Sequence, residues 1–264
     1  MIRFVLPFLM LLSFAANGAT PPAKPEPMTL SAAINKAGRQ RMLSQRIVKA
    51  YCQIGLKVRT DKSRVILDKS VSLFDAQLVE LRQATGKPEI QEALAREAAL
   101  WGDLRAVAIA PVDRDGARKL MELNEALLQA AHKVTLLFES ESGTKAGKLV
   151  NIAGRQRMLS QRLAKFYMLK KWGFTQPEIV AGIEQAKKEF VSALQELAAA
   201  PQNTPAIQQE LELAKTQWVF FENALGQHDS SEDLLFASNV ATTSERILEV
   251  MDKITALYEK VEGN

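Results

Sequence analysis

Apolar residues recur every three to four positions along most of the chain after residue 30, which is the period of an amphipathic helix. One such stripe consists of Leu67, Val71, Phe74, Leu78 and Leu81, and its spacing predicts a helix face packed in a bundle core. Prolines and glycines interrupt the pattern at points typical of helix ends. The pattern predicts helices over residues 30–57, 61–85, 88–108, 113–140, 146–172, 176–199, 203–226 and 230–261.

The first residues show a different pattern. Arg3 is followed by an apolar run from Phe4 to Phe14 and then by small residues, which is typical of a secretory signal peptide over residues 1–19. An uncleaved N-terminal anchor is the alternative interpretation. A proline-rich linker follows over residues 20–29 and holds four of the chain's ten prolines. The sequence therefore predicts an exported protein, periplasmic or secreted, for which nucleic acid is not an expected partner.

A repeat divides the helical part of the chain into two halves. Residues 34–51 and 150–167 are identical at thirteen of eighteen positions, 116 residues apart. The relation continues outside this motif in the pairs Phe74 and Phe190, Trp101 and Trp218, and Val134 and Ile254. Such internal similarity indicates repeated structural units. The predicted fold is all-α, with two tandem up-down four-helix-bundle units over residues 30–142 and 143–264 that can pack as an intramolecular pseudo-dimer.

The composition excludes several kinds of chemistry. Aromatic residues make up only 6% of the chain, and the net charge of +4 is small for 264 residues. A single cysteine, Cys52, excludes an intrachain disulfide and is expected to be a buried helix residue. The two histidines, His132 and His228, are too few for a histidine metal cluster, and no nucleophile–base pair or glycine-rich phosphate loop is visible. The sequence therefore predicts a protein that is not an enzyme and needs no cofactor.

Both motif copies read N-x-A-G-R-Q-R-M-L-S-Q-R. On a helix that turns 100° per residue, Asn35, Arg39 and Arg46 share one narrow face with Lys49 beside them, whereas Arg41 points about 120° away from it. The second copy repeats this face with Asn151, Arg155, Arg162 and Lys165, and places Arg157 to one side. The first-copy and second-copy faces are called the two arginine stripes below.

The arginine stripes are the candidate chemistry of this chain. No acidic residue lies inside either motif, and like charges at this spacing repel unless something negative intervenes. Two stripes packed face to face would gather four arginines and two lysines around an anion. Two alternatives remain open: a solvated face, or ion pairs with acidic residues on other helices. The candidate ligand-binding residues are Arg46, Arg162, Arg39, Arg155, Asn35, Asn151, Arg41 and Arg157.

Glycines inside the motif predict a close approach of two helices. Gly38 and Gly154 occupy the same motif position in both copies. A glycine within a helix costs about 1 kcal/mol relative to alanine, so its repetition indicates a steric requirement.

The motif resembles the P-box of bacterial nitrate/nitrite sensor kinases of the NarX type, and resembles even more closely the periplasmic input domain of PilJ-type chemotaxis transducers. The resemblance rests on Asn-x-Ala-Gly-x-x-Arg-Met-x-Ser-x-Arg in both copies and covers residues 30–262. It implies helical bundles and an anion held between two motif helices, with Arg46 and Arg162 at the positions of the anion-binding arginines. Two departures are Lys36, matched by Ile152, and the lack of transmembrane, HAMP or output segments after Asn264.

Two functions follow from these observations. The first is an exported, non-enzymatic sensory protein that binds a small anion, such as nitrate, nitrite or a carboxylate, and passes its state to a membrane sensor or chemoreceptor. The second is a structural protein whose motif docks onto another bundle of the same family.

Overall fold

A computed structural model describes residues 27–227 and 233–261. The predicted signal peptide and His228 lie outside these residues. The helices are α1 (Leu30–Gly55), α2 (Thr60–Gln83), α3 (Pro88–Ala108), α4 (Arg114–Ser142), α5 (Lys145–Lys171), α6 (Pro177–Ala198), α7 (Pro205–Gly226) and α8 (Asp233–Val261). The prediction of an all-α fold is confirmed. The predicted helix ends agree with the observed ones to within two residues wherever the structure describes both.

Local sequence signals fix where most helices begin. A side-chain oxygen caps the first turn of α1, α4, α5 and α7 by accepting a backbone N–H three residues further on, at Thr29, Asp113, Thr144 and Thr204. Proline stands at the start of α3, α6 and α7, where its fixed φ suits the first helical turn and its missing N–H is not needed. The helix bounds are therefore decided within a few residues of each end, which is why the sequence pattern locates them well.

Each half of the chain forms the same bundle. In the first, α1 packs on α2 and α4, and α3 packs on α4; in the second, α5 packs on α6 and α8, and α7 packs on α8. The second and third helices of each unit are joined by a stacked aromatic pair. The ring centroids are 4.0 Å apart for Phe74 and Trp101 and 4.3 Å apart for Phe190 and Trp218. The repeat found in the sequence is therefore a repeat of tertiary structure.

The two units join through their first helices. α1 packs on α5 more extensively than any other described pair of helices, while α4 lies mainly on α1 and α8 mainly on α5. Helices of its own unit cover one side of α1, and α5 of the other unit covers another side. The same holds for α5, so α1 and α5 form the centre of the molecule. Among the described residues, no helix is both long and apolar enough to cross a bilayer.

Candidate functional site

The polar residues of the motif are enclosed between helices. α1 and α5 run parallel, since Arg41 contacts Asn151, and Lys49, further along α1, contacts Gln161, further along α5. Both helices bury most of their circumference. Several motif side chains hold neighbouring helices through backbone carbonyls. The amides of Gln40 and Gln156 donate to the carbonyls of Phe74 and Phe190, at 3.1 and 2.7 Å. These bonds give the glutamines a structural role in both units, because a buried side-chain amide N–H needs an acceptor.

Two arginines lie at the centre of the α1–α5 contact. Arg41 and Arg157 are the largest fully buried side chains of the described residues. Arg41 reaches across to α5, where its Nη2 lies 2.7 Å from the Oδ1 of Asn151. Arg157 reaches across to α1, where its Nη2 lies 3.1 Å from the carbonyl oxygen of Asn35. The helical wheel placed Arg41 and Arg157 to one side of the stripes, and this side of each motif helix, rather than the stripe, faces the other motif helix.

Gly38 and Gly154 make room for these guanidinium groups. A Cβ atom on Gly38 would lie 3.1 Å from Nη2 of Arg41 and 3.7 Å from Nη2 of Arg157. A Cβ atom on Gly154 would meet the same two atoms at 3.7 and 3.1 Å. Each guanidinium group therefore lies close to both glycines. The sequence correctly indicated a steric requirement here, but the space is filled by charged side chains rather than by a closer backbone.

Burying two like charges near each other is unfavourable. Burial, together with the positive charges of Arg155 and Arg157, lowers the pKa of Arg41 to about 9. Burial also lowers the pKa of Arg157 to about 10, although the carboxylate of Asp252 acts in the opposite direction. The stabilisation of each buried guanidinium therefore depends on the polar groups placed around it.

The two arginine stripes lie on opposite sides of the α1–α5 pair. The first stripe faces α8, in the pairs Asn35–Glu259, Arg39–Asp252 and Arg46–Glu245. The second stripe faces α4 and α6, in the pairs Asn151–Glu139, Arg155–Glu189 and Arg162–Glu125. The expected single pocket shared by four arginines is therefore not formed. The alternative of ion pairs with other helices describes Arg39, Arg46, Arg155 and Arg162.

Two buried lysines, Lys49 and Lys165, join the two units. Lys49, fully buried on α1, contacts Glu245 of α8, and its Nζ lies 2.6 Å from the Oε1 of Gln161 on α5. Burial alone would raise the pKa of Glu245, but the charges of Lys49 and Arg46 outweigh it and lower the pKa to about 2. On the other flank, Lys165 bonds the neutral Asn124 at 2.7 Å. Burial and the nearby Arg162 lower the pKa of Lys165 to about 7.

A cavity of about 230 Å³ opens on the flank of the second stripe, between α4, α5 and α6. Its charged and titratable lining consists of Arg41, Glu125, His132, Arg155, Arg162 and Glu189. Of these, Arg41 forms no ion pair with a carboxylate among the described residues; its hydrogen bonds go to His132 and Asn151. Its Nε is buried without a partner. The cavity therefore has a fully buried guanidinium group in its wall.

His132 is the neighbour that replaces a carboxylate beside Arg41. Its Nδ1 lies 3.1 Å from the Nη1 of Arg41. Burial, followed by the positive charges of Arg41 and Arg155, lowers the pKa of His132 to about 4. At neutral pH the imidazole is therefore uncharged, accepts the Arg41 N–H at Nδ1 and carries its own proton on Nε2.

Sequence reasoning missed several residues of this region. No role was predicted for His132, and Glu125, Glu189, Glu245 and Asp252 were not candidates, because all of them lie far from the motif along the chain. One signal was present: the similarity between the segments at Val134 and Ile254 extends back to these positions and pairs Glu125 with Glu245. Cys52 is fully buried as expected, and burial raises the pKa of its thiol to about 12.

Two tandem helical bundles joined through arginine-bearing first helices define the class of this protein as an all-α tandem-repeat protein. The chain matches the family described as the type IV pili methyl-accepting chemotaxis transducer N-terminal domain, PilJ, over residues 29–129 and again over residues 138–244. The chain therefore belongs to the PilJ family and carries two copies of its domain, as the sequence motif predicted. No curated protein and no solved structure matches the chain significantly.

Proposed function

We propose that this protein is a sensory protein that binds one small anion with Arg41, Arg155 and Arg162. The observation that carries the proposal is the buried guanidinium of Arg41, which borders the cavity and forms no ion pair with a carboxylate of the described residues. A buried charge without a counter-charge is costly. An anion in the cavity supplies that counter-charge, and arginine forks suit planar carboxylates and oxyanions.

The proposed site differs from the one that the family resemblance implies. Arg46 lies on the opposite flank, in a two-point contact with Glu245. Arg162 lines the cavity, but it does so alongside Arg155 and with Arg41 from the other unit. An anion that contacts Arg41 of α1 and Arg155 of α5 therefore touches both units. Binding then stabilises one relative arrangement of the two bundles, which is the kind of change that a sensory domain can transmit.

The PilJ family functions within chemoreceptor signalling. We therefore propose that the protein acts in the periplasm and reports its bound anion to a membrane receptor or sensor kinase, without catalysing a reaction. The predicted export of the chain and the use of PilJ-type domains as periplasmic input domains support this location.

The site can be tested with thermal melts of the full chain in sodium nitrate, nitrite, formate and acetate at constant ionic strength. A ligand that binds only the folded state raises the melting temperature in proportion to the logarithm of its concentration above Kd. We expect this rise in the wild-type chain and its loss in Arg155→Gln. The matched control is Arg39→Gln, since Arg39 occupies the same motif position in the first copy but pairs with Asp252.

A second pair of variants tests the buried arginines. Arg41→Gln should abolish the response to anions, while Arg157→Gln should keep it, although both are expected to lower the melting temperature in buffer. Absence of a response to any of the four anions in the wild-type chain would overturn the proposal. An equal loss of response in Arg155→Gln and Arg39→Gln would overturn the assignment to this cavity.

A further inference from the structure

Helices α4 and α8 occupy equivalent places in the two units, and their residues correspond with an offset of 120. Glu125 of α4 pairs with Arg162, and Glu245 of α8 pairs with Arg46. Glu139 bonds Asn151, and Glu259 bonds Asn35. The two contacts of α4 are therefore equivalent to the two contacts of α8, on opposite sides of the α1–α5 pair. The correspondence between α4 and α8 holds in the structure as well as in the sequence.

The same correspondence pairs His132 with Asp252, and here the two sides differ. On the α8 side, Oδ1 of Asp252 contacts Arg157 and lies 2.9 Å from Nη2 of Arg39. One carboxylate therefore bridges the buried arginine of one motif and the stripe arginine of the other. On the α4 side, the equivalent arginines are Arg41 and Arg155, and the residue between them is a neutral imidazole.

A neighbouring carboxylate does not replace the missing bridge. Arg155 pairs with Glu189 at 2.7 Å, but Glu189 forms no described ion pair with Arg41. In the first unit the position equivalent to Glu189 is Leu73, so this contact is an addition on one side and not part of the shared design. Around the cavity, three guanidinium groups face two carboxylates, which leaves one positive charge when His132 is neutral.

We propose that Asp252 is a built-in copy of the ligand: its carboxylate closes one of two equivalent anion sites, and the His132 side accepts one free anion per chain. The carboxylate of Asp252 indicates the ligand class. It is a small monovalent anion with two or three oxygens in a plane, a carboxylate or a nitrate-like ion, that bridges Arg41 and Arg155 as Asp252 bridges Arg157 and Arg39. This inference rests on the proposed function and adds the stoichiometry and the charge of the ligand.

The test exchanges the two residues and counts sites by isothermal titration calorimetry of the full chain with sodium formate and sodium nitrate. We expect one site in the wild-type chain and none in His132→Asp, because the new carboxylate bridges Arg41 and Arg155. We expect a second site in Asp252→Ala, whose cavity formate can enter. In the double variant His132→Asp/Asp252→His, binding should return and depend on Arg39 instead of Arg155.

Asp252→Ala leaves Arg157 without its carboxylate and is the variant most at risk of unfolding. Formate or nitrate should then restore its melting temperature towards the wild-type value, which is a second readout of the same site. Asp252→Glu, which keeps a carboxylate at this position, should bind no second anion and serves as the matched control.

The outcomes separate the inference from the proposed function. One site in the wild-type chain, with neither a second site nor rescue in Asp252→Ala, overturns the inference and leaves the proposed function standing. A preference for sulfate or phosphate over formate and nitrate overturns the ligand class. A wild-type chain that binds no anion overturns the proposed function, and the inference with it, whatever the variants do.

Discussion

At the scale of single residues, most buried polar side chains of the described residues bond at least one partner. Gln40 and Gln156 bond backbone carbonyls, and Lys49 contacts a carboxylate. Glu97 of α3 is different: it is fully buried, and neither of its carboxylate oxygens has a partner. Burial raises its pKa to about 8, despite the nearby charge of Arg82. The second unit has Ala214 at the equivalent position, so the fold does not require a carboxyl group there.

Replacing Glu97 with glutamine should stabilise the protein at neutral and alkaline pH. Because the folded-state pKa is raised above the usual 4.5, the contribution of Glu97 to the stability is most favourable below pH 4.5 and should be lost as the pH rises from 4.5 to 8. Glu97→Gln removes this dependence and should raise the melting temperature at pH 8 by roughly 3–6 °C. Melts of both chains from pH 5 to 8.5 test this; parallel curves for the two chains would contradict it.

At the scale of elements, the closeness of α1 and α5 is limited by what lies between them. The first atoms that an added Cβ would meet at Gly38 belong to the buried guanidinium of Arg41, which His132 and Asn151 hold in place. An added Cβ atom on Gly102 of α3 would meet no other atom within 4 Å. The two glycines thus differ in packing while sharing the low helix propensity of their residue type.

This difference predicts opposite effects of the same substitution. Gly102→Ala should raise the free energy of unfolding by about 0.5–1 kcal/mol, through helix propensity alone. Gly38→Ala should lower it by about 1–3 kcal/mol, because crowding a fixed, buried side chain outweighs the gain in propensity. Urea unfolding monitored by circular dichroism measures both values. Equal stabilisation by the two substitutions would show that the guanidinium groups can move aside.

At the scale of the whole molecule, the two repeats are units of one structure. α1 is covered by α4 of its own unit and by α5 of the other. The ion pair of Lys49 with Glu245 and the bond of Arg41 to Asn151 both cross between units. A separated half would expose the buried polar face of its motif helix together with the apolar residues around it, and marginally stable domains do not withstand such losses.

We therefore expect fragments 27–143 and 144–264 to lack a cooperative thermal transition when each is present alone as a monomer. Mixed or co-expressed, they should form a one-to-one complex that melts cooperatively. Size-exclusion chromatography with light scattering and calorimetry measures both properties. A single fragment that melts cooperatively as a monomer would show that each bundle is an independent domain.

The family, the repeat and the helices could be predicted from the sequence because each is a local property. Helix bounds depend on the apolar period, a capping oxygen such as that of Asp113, or a proline such as Pro177. The motif carries its identity in twelve adjacent positions. For the candidate site, the sequence supplied only the residue types, arginines on the motif helices, and the prediction that the two arginine stripes face each other did not hold.

The tertiary structure alone decided which charges meet. Arg39 and Asp252 are separated by more than two hundred positions in the chain, yet their side chains are 2.9 Å apart. An ion pair depends on the distance between two side chains in space. The apolar period of a helix predicts which face is buried, but it does not predict which helices lie next to that face. For the same reason, the sequence determined that the motif is duplicated, whereas only the packing of α4 and α8 showed that Asp252 bridges Arg39 and Arg157 while His132 occupies the equivalent position beside Arg41.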